Sequence, residues 1–390
     1  DAIRLLSLDN KEKCKVLIKG PTGFGKTVIN YKIINYFQKT DNITLILTPR
    51  KLLNIQTLED KYKKHLDNSD KYVSFNYCPE KGNYATRNQE LFNKVKTIIK
   101  KKQKIIILSC YQSFQQLINY LEKQKIKIDL CICDEAHYIN SWSLLQHKYQ
   151  KTFFGIDLDT KTKIIEKYIF TTATPYPEME SNIQLWGEKI EHVQIYELIE
   201  RGILCDFEVI VKNLELINYQ LNITEYTMQI MKDMKKRKGI IYTTTRDKAY
   251  QLYLNMKNKY PGYPVYLYIS EEKDKYQLIN NNDGNIIHYR NNRNPSIIIT
   301  VDKIGFGYDD FNIDLICFAD PRTSDIDIRQ IIGRGLRKSD GKERATLYDI
   351  ADDLRVGKHM NYTLKHFVER VKIYDAEKFD YKFYNVKLKG

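Results

Sequence analysis

Residues 20–27 have the types and the spacing of a loop that binds phosphate groups. They read Gly-Pro-Thr-Gly-Phe-Gly-Lys-Thr, which matches the pattern GxxxxGK(S/T), and they stand between the apolar run 15–19 and a helix-like stretch at 26–38. Glycines let backbone N–H groups curl around phosphates, and the helix N-terminus adds partial positive charge. We therefore predict a nucleotide site in which Lys26 reaches the β- and γ-phosphates and the Thr27 hydroxyl is a ligand of Mg²⁺. A chance glycine-rich turn is the alternative, and the flanking strand and helix disfavour it.

A pair of acids follows another apolar run further along the chain. Asp134-Glu135-Ala136-His137 comes directly after residues 129–133, and acids at the carboxyl end of a buried strand form the Walker B arrangement. Asp134 is predicted to hold Mg²⁺ through water, and Glu135 to orient or deprotonate the attacking water. His137 would connect this site to other motifs. A solvated acidic turn is the alternative that the tetrapeptide alone leaves open.

Basic residues recur at helical spacing in the second half of the chain. Gln330, Arg334 and Arg337 stand at positions i, i+4 and i+7, which is one face of a helix. In a cleft between two domains, such arginines can neutralise charge on a transferring γ-phosphoryl group. On these residues alone, a basic and solvated helix face is the more common interpretation.

Short apolar runs alternate with amphipathic segments of helix length along the chain. The runs are continuous, as in strands buried on both faces of a parallel sheet, and the segments between them supply crossover helices. Two sets of runs predict two α/β domains, 1–200 and 206–390, with a linker at about 187–206 and one helix (359–373) in the tail. The first set is 15–19, 43–47, 104–109, 129–133 and 168–172; the second is 207–212, 239–243, 263–269, 296–301, 314–319 and 345–350.

Composition excludes several classes of protein. With 42% hydrophobic and 29% charged residues among 390, the chain does not have the composition of a disordered protein. Its apolar runs fall far short of the ~20 residues of a transmembrane helix, so no membrane partner is expected. The net charge of +14 makes a polyanionic partner plausible without proving one. The seven cysteines form no CxxC pair and no zinc-spaced cluster, which favours buried free thiols in a reducing intracellular compartment.

Taken together, the motifs resemble those of superfamily-two helicases and translocases, in that family's order and over about residues 1 to 375. The forms at 330–337 and 200–209 look most similar to the type III restriction-subunit-like (ResIII) branch. DEAD-box proteins would usually show a histidine where this chain has Gln330. The motifs are GPTGFGKT (20–27), TPRKLLNIQ (48–56), DEAH (134–137), TATP (172–175), IIYTTT (240–245), GFGYDD (305–310) and QIIGRGLR (330–337).

The resemblance implies two tandem RecA-like domains of the P-loop NTPase class, with ATP and Mg²⁺ between them. It implies DNA or RNA as partner, held through the backbone without sequence preference, and an accessory nuclease or replication or transcription proteins as further partners. It assigns Lys26, Thr27, Asp134, Glu135, Gln330, Arg334 and Arg337 to ATP hydrolysis. It also assigns contacts with the nucleotide to Gly20, Thr22, Gly23, Gly25, Gly307 and Asp309.

The same resemblance assigns residues to coupling and to a nucleic-acid track. His137, Thr172 and Thr174 would transmit the state of the ATP site, with a threonine where the family often has serine. The track would be bound by Thr48, Pro49 and Arg50 in the first domain and by Thr244 and Thr300 in the second. An equally open alternative is that these threonines only cap or terminate strands.

One departure from the family concerns adenine recognition. Family members usually carry a glutamine upstream of the phosphate loop, in a stretch reading like Gln-x-x-Ala-Ile. This chain opens Asp-Ala-Ile without a methionine, so the glutamine is expected before Asp1 and the sequence is expected to be part of a longer chain.

Three other functions compete with a helicase that unwinds nucleic acid. The first is a double-stranded DNA translocase that serves a nuclease or remodelling partner without separating strands. The second is a nucleic-acid-binding module with an inactive ATPase, which the presence of Lys26, Glu135 and Arg334 disfavours. The third is a P-loop kinase, which the motifs of the second domain disfavour.

Overall fold

The computed structural model divides the chain into two compact units, residues 1–192 and 193–390. Among the residues that it describes, no helix is long and apolar enough to cross a membrane. The described residues are 6, 14–37, 43–49, 53–54, 57, 63–77, 93, 95, 97–98, 103–141, 164–191, 193–215, 228, 238–269, 282–301, 312–320, 322, 324–351 and 362–387.

The first unit is built on a parallel sheet. Its described strands are β1 (Lys15–Lys19), β2 (Ile43–Thr48), β3 (Tyr72–Tyr77), β4 (Lys104–Cys110), β5 (Ile128–Asp134), β6 (Ile165–Thr172) and β7 (Glu188–Ile190). Their order across the sheet is β3-β4-β2-β5-β6-β1-β7, with every pair parallel. The helices are α1 (Lys26–Phe37), α2 (Phe114–Lys123), α3 (His137–Ser141), α4 (Pro177–Ser181) and α5 (Ile183–Trp186), with 3₁₀ turns at Ser69–Lys71 and Tyr111–Ser113.

Both faces of this sheet are buried, which explains the continuous apolar runs. Val16 of β1 belongs to the same apolar cluster as Ile34 of α1. The next residue along the strand, Leu17, belongs to the cluster of the opposite face, with Leu117 of α2. Neighbouring residues of one strand therefore point into two different cores, so both faces favour apolar side chains.

The second unit repeats this plan. Its described strands are β8 (Asp206–Glu215), β9 (Lys238–Tyr242), β10 (Val265–Tyr268), β11 (Ser296–Thr300), β12 (Leu315–Phe318), β13 (Arg344–Ile350) and β14 (Asp380–Lys387). They lie in the order β10-β11-β9-β12-β13-β8-β14, again all parallel. The helices are α6 (Ile195–Glu200), α7 (Arg246–Lys259), α8 (Asn282–Asn291), α9 (Asp325–Gly335) and α10 (Tyr362–Ala376).

Two parallel sheets with helices between their strands confirm the predicted α/β class. Every apolar run named above overlaps a strand, whereas β3, β7 and β14 were not predicted from the sequence. The predicted tail helix is α10, shifted by three residues. The segment proposed as a linker holds β7, which pairs with β1, and α6, which falls in the second unit.

The order of the first sheet decides which loops meet. Strands β5, β6 and β1 are neighbours and run parallel. The acidic pair, the TATP segment and the glycine-rich loop follow these three strands in turn, and the carboxyl edge of a parallel sheet is where ligands bind in such folds. The three motifs are therefore side by side.

Candidate functional site

The glycine-rich loop has the backbone conformation that its glycines permit. Gly23 and Gly25 have φ angles of 87° and 86°, in the left-handed region that disfavours other residues. A Cβ on Gly25 would meet nothing within 4 Å, so the strain of its φ angle, not crowding, requires glycine there. Lys26 begins α1 directly after this loop, and its Nζ donates to the carbonyl of Gly20 at 3.2 Å.

The loop is fixed to the neighbouring strand. The backbone N–H of Gly20 donates to the carbonyl of Thr172, at the end of β6, over 3.0 Å. Because α1 starts at Lys26, its first N–H groups and its partial positive charge face the same region as the loop. This arrangement can bind an anion such as a phosphate group.

The acidic pair lies in a tight turn at the end of β5. Glu135 has a φ of 52°, a left-handed conformation that is uncommon for a residue other than glycine. Two hydrogen bonds hold the turn: the hydroxyl of Tyr111 donates to the carbonyl of Asp134 at 2.7 Å, and the N–H of Ala136 donates to the carbonyl of Thr171 at 2.9 Å. From this turn the Glu135 side chain reaches the end of the loop, at Lys26.

The two carboxylates have different surroundings. Oε1 of Glu135 lies 3.9 Å from Nζ of Lys26, and Oδ1 of Asp134 accepts a hydrogen bond from the Thr171 hydroxyl at 2.9 Å. Burial, and then the negative charge of Glu135, raise the pKa of Asp134 from 3.8 to about 6, although Lys26 and the Thr171 hydroxyl act in the opposite direction. The structure thus brings the predicted lysine and both predicted acids together.

These residues fit a divalent cation. The second carboxylate oxygen of Glu135, Oε2, is buried and makes no hydrogen bond, and burial penalises the ionised form of Asp134. A cation would offset both costs, and oxygen ligands are those that Mg²⁺ prefers. Asp134 and the hydroxyl of Thr27, the second residue of α1, are the side chains that would hold it.

The predicted coupling residues form one hydrogen-bonded group. Nδ1 of His137 lies 2.8 Å from the hydroxyl oxygen of Thr172, and this oxygen also accepts from the backbone N–H of Thr174 at 3.1 Å. The same imidazole nitrogen is 3.5 Å from Oε2 of Glu135. His137 therefore connects Glu135 of the acidic pair to the TATP segment.

The hydroxyl of Thr48, the first of the predicted track residues, makes a hydrogen bond inside the protein. Thr48 is fully buried at the end of β2, and its hydroxyl donates to Oδ1 of Asn54 at 2.7 Å. This geometry favours the alternative in which the threonine terminates a strand. Pro49 follows it, and its carbonyl is 3.5 Å from Nε2 of Gln112. Arg50 lies outside the described residues.

The hydroxyls of the second-unit threonines also donate hydrogen bonds to protein groups, although Thr244 is exposed. The N–H and the hydroxyl of Thr244 both donate to Oδ2 of Asp320, at 2.8 and 3.0 Å. Thr300 is fully buried, and its hydroxyl donates to the carbonyl of Tyr268 at 2.7 Å. Contacts of these hydroxyls with nucleic acid stay a prediction. Gly307 and Asp309 lie outside the described residues.

The arginine array is only partly helical. Gln330 and Arg334 lie on α9 and are buried, with 4% and 6% of their surface exposed. The helix ends at Gly335, and Arg337 instead forms an isolated antiparallel bridge with Leu204. The single helix face expected for all three residues is therefore wrong for Arg337.

A buried lysine stabilises the end of α9 before Arg337. Nζ of Lys342 donates to the carbonyls of Gly335 and Arg337, at 2.6 and 2.7 Å. The backbone N–H of Cys205 donates to the carbonyl of Leu336 at 2.9 Å. These donors satisfy carbonyls at the end of α9, and a positive charge is favourable at a helix C-terminus.

Two residues that hold the acidic turn, Thr171 and Tyr111, were not singled out by the motifs. Thr171 precedes the TATP motif by one residue, so only its position at the end of β6 could have singled it out. Tyr111 directly follows β4 and belongs to none of the motifs. It is buried, and its hydroxyl reaches the backbone carbonyl of Asp134.

The chain is similar to known proteins in sequence and in fold. Residues 2–176 match the family described as type III restriction enzyme, res subunit. A curated protein of African swine fever virus (isolate Pig/Kenya/KEN-50/1950), described as a "probable helicase", is 26% identical over 351 residues. That match covers 83% of this chain but only 37% of the viral protein, so the chain spans well under half the length of this relative.

Solved structures share the fold across both units. The ATP-dependent Type ISP restriction-modification enzyme LlaBIII bound to DNA superposes with a TM-score of 0.74 at 17% identity, over 99% of this chain and 31% of that one. Mss116p bound to ssRNA and AMP-PNP gives a TM-score of 0.63 at 18% identity, over 98% of this chain and 73% of that one. These likenesses confirm the predicted fold of two tandem RecA-like domains.

Proposed function

We propose that this chain, a ResIII-like protein of helicase superfamily two, hydrolyses ATP to move along or unwind DNA or RNA. The observation that carries the proposal is the distance of 3.9 Å between Nζ of Lys26 and Oε1 of Glu135. It brings a phosphate-binding cation and a proton-accepting carboxylate to one edge of the first sheet. An inactive nucleotide-binding module would not need Glu135 in a strained backbone aimed at that loop.

The residues of the first unit divide the chemistry between them. The N–H groups of the glycine-rich loop and the ammonium of Lys26 bind the phosphates, and the carboxylate of Glu135 accepts a proton from the attacking water. Asp134 and Thr27 hold the metal ion. When bound, ATP and Mg²⁺ supply the phosphoryl group and much of the charge that balances it.

The second unit contributes cations to the same reaction in this proposal. Arg334 and Arg337 neutralise charge on the phosphoryl group, a role in which an arginine is worth roughly 10³–10⁵ in rate. The buried Lys342 and the backbone of Cys205 fix the end of α9 next to these arginines. Gln330, Gly307 and Asp309 complete the proposed contacts from this unit.

The proposed partner is the phosphate backbone of DNA or RNA. The net charge of +14 supports such a partner, and backbone contacts give affinity without sequence preference that falls as salt rises. The chain between Thr48 and Arg50 and the segment at Thr244 remain the proposed contact regions. The similarity of residues 2–176 to a restriction-enzyme subunit supports a second candidate, a motor that tracks along duplex DNA without separating its strands.

Three assays test this proposal and separate its two forms. A fluorescent ATP analogue with Mg²⁺ should bind the wild type, and Lys26→Ala should weaken that binding; no binding by the wild type would contradict the proposal. A helicase should release a strand from a partial duplex in the presence of ATP. A duplex translocase should instead displace the third strand of a triplex and leave the duplex intact.

A further inference from the structure

Tyr111 reaches the acidic turn from a distant strand of the sheet. It follows β4, which is separated from β5 by β2 in the strand order. The residue is 3% exposed, and its hydroxyl donates to the backbone carbonyl of Asp134 at 2.7 Å. Burial, and then the nearby Cys133 and Asp134, raise the pKa of Tyr111 well above its ordinary value. The hydroxyl therefore stays protonated and remains a donor.

This hydrogen bond acts on a backbone that is under strain. The accepting carbonyl belongs to the peptide group that joins Asp134 to Glu135, and Glu135 has the left-handed φ of 52°. Such conformations are unfavourable for a residue other than glycine and persist where the surroundings hold them. Tyr111 is thus one of the groups that hold the general base in its position.

The residues on either side of Tyr111 contact a different loop. Gln112 is exposed, and its Nε2 donates a long hydrogen bond of 3.5 Å to the carbonyl of Pro49. On the other side, Sγ of Cys110 accepts from Nδ2 of Asn54 at 3.7 Å. Asn54 in turn accepts from the hydroxyl of Thr48. One short turn therefore touches both the proposed nucleic-acid loop and the acidic pair.

We propose that Tyr111 is a positioning residue that couples the loop at Thr48 and Pro49 to the turn at Asp134 and Glu135. Nucleic acid bound at the loop shifts the 3₁₀ turn Tyr111–Ser113, and the tyrosine hydroxyl passes that shift to the backbone that carries Glu135. The inference rests on the proposed function and deepens it, because it names the physical link through which nucleic acid stimulates hydrolysis.

Tyr111→Phe tests the link with little change of volume. ATPase rates are measured without nucleic acid and with saturating oligothymidine, oligouridine or random-sequence duplex DNA. The matched control is Tyr289→Phe, which removes a buried tyrosine hydroxyl that donates to the carbonyl of Gly239 at 3.1 Å in the second unit. Melting curves followed by circular dichroism establish that both variants are folded.

The expected result is a loss of stimulation without a loss of substrate binding. In Tyr111→Phe the stimulated kcat should fall about fivefold, as for one ordinary hydrogen bond. This fall should be larger than that of the unstimulated rate, while the KM for ATP stays within about twofold. Tyr289→Phe should match the wild type in all three quantities. An equal fall of both rates, or unchanged stimulation, would overturn the coupling role.

A second measurement is independent of catalysis. Hydrogen exchange of the amides around 134–139 should slow when the oligonucleotide binds to the wild type, and this response should be absent in Tyr111→Phe. A wild type that binds the oligonucleotide with no change at these amides overturns the inference, even if its ATPase is stimulated. A response at these amides in a wild type without ATPase activity supports the link and overturns the proposed function alone.

Discussion

The hydroxyl of Thr171 donates a hydrogen bond of 2.9 Å to Oδ1 of Asp134. The backbone carbonyl of the same threonine accepts from the N–H of Ala136. Thr171 thus holds the side chain of Asp134 and also the backbone of Ala136, the residue after Glu135. Because β6 lies between β5 and β1, this single residue steadies the acidic pair from the strand next to the phosphate loop.

We expect Thr171→Val to raise the Mg²⁺ concentration needed for half-maximal ATPase activity by about tenfold, since loss of a partner of a metal ligand commonly costs 10–100-fold in metal affinity. The measurement is a Mg²⁺ titration at saturating ATP. Thr346→Val is the matched control, because that buried hydroxyl donates to Oε1 of Glu208 at 3.0 Å, in the second unit. An equal shift in both variants would mean that the effect is not specific to Asp134.

The raised pKa of Asp134 makes this site costly for stability. The folded protein binds the proton of the Asp134 carboxyl more tightly than the unfolded chain does. The stability that comes from this protonation is therefore fully present below pH 3.8 and is lost as the pH rises through about 6. We expect Asp134→Asn, without nucleotide or metal, to raise the free energy of unfolding of the first unit by about 3 kcal/mol near neutral pH.

The same comparison at acidic pH is the control for this prediction. Well below pH 3.8 the aspartic acid is protonated in both the folded and the unfolded state, and the advantage of the asparagine should vanish. Urea unfolding at the two pH values gives the difference. A gain in stability that does not depend on pH would show that ionisation of Asp134 is not its cause.

Helix α10 is fastened to the second sheet by a buried ion pair. Arg370 and Asp349 are both fully buried, with Nη2 and Oδ1 2.8 Å apart, and Asp349 also accepts from the hydroxyl of Tyr374 at 2.7 Å. We expect Arg370→Met to destabilise the second unit by about 3–5 kcal/mol, because it leaves a buried carboxylate without its cation. Thermal unfolding of the purified variant measures this.

An exposed pair on the same helix gives the comparison. Lys372 and Glu369 are 2.8 Å apart but 65% and 48% exposed. Lys372→Met should therefore change stability by less than about 1 kcal/mol. If the two substitutions cost the same, burial does not set the strength of the Arg370 pair.

The fold could be predicted where strands are buried on both sides. β1, β2, β4, β5 and β6 are continuous apolar runs because a core lies on each face of their sheet. The strands that were missed, β3, β7 and β14, all lie at the edges of the sheets. β3 reads YVSFNY and mixes polar with apolar residues, and β7 has three residues. A strand at an edge needs less apolar surface, so periodicity gives a weaker signal.

The site could be predicted where chemistry requires a residue type at a fixed spacing. Lys26, Asp134 and Glu135 belong to such patterns, and the structure brings them together. Tyr111 and Thr171 act through hydroxyls on the backbone and on a neighbouring carboxylate, and many sequences could place a hydroxyl there. The end of α9 before Arg337 depends on contacts of Lys342 and Cys205, which spacing along the chain does not encode.

The most direct test of the central claim is the ATPase rate of the purified chain with single-stranded DNA, duplex DNA, single-stranded RNA and duplex RNA. We predict that at least one of them raises turnover, and that Glu135→Gln lowers the stimulated rate by about 100-fold or more while ATP still binds. No stimulation by any of the four, or unchanged turnover in Glu135→Gln, would contradict the account.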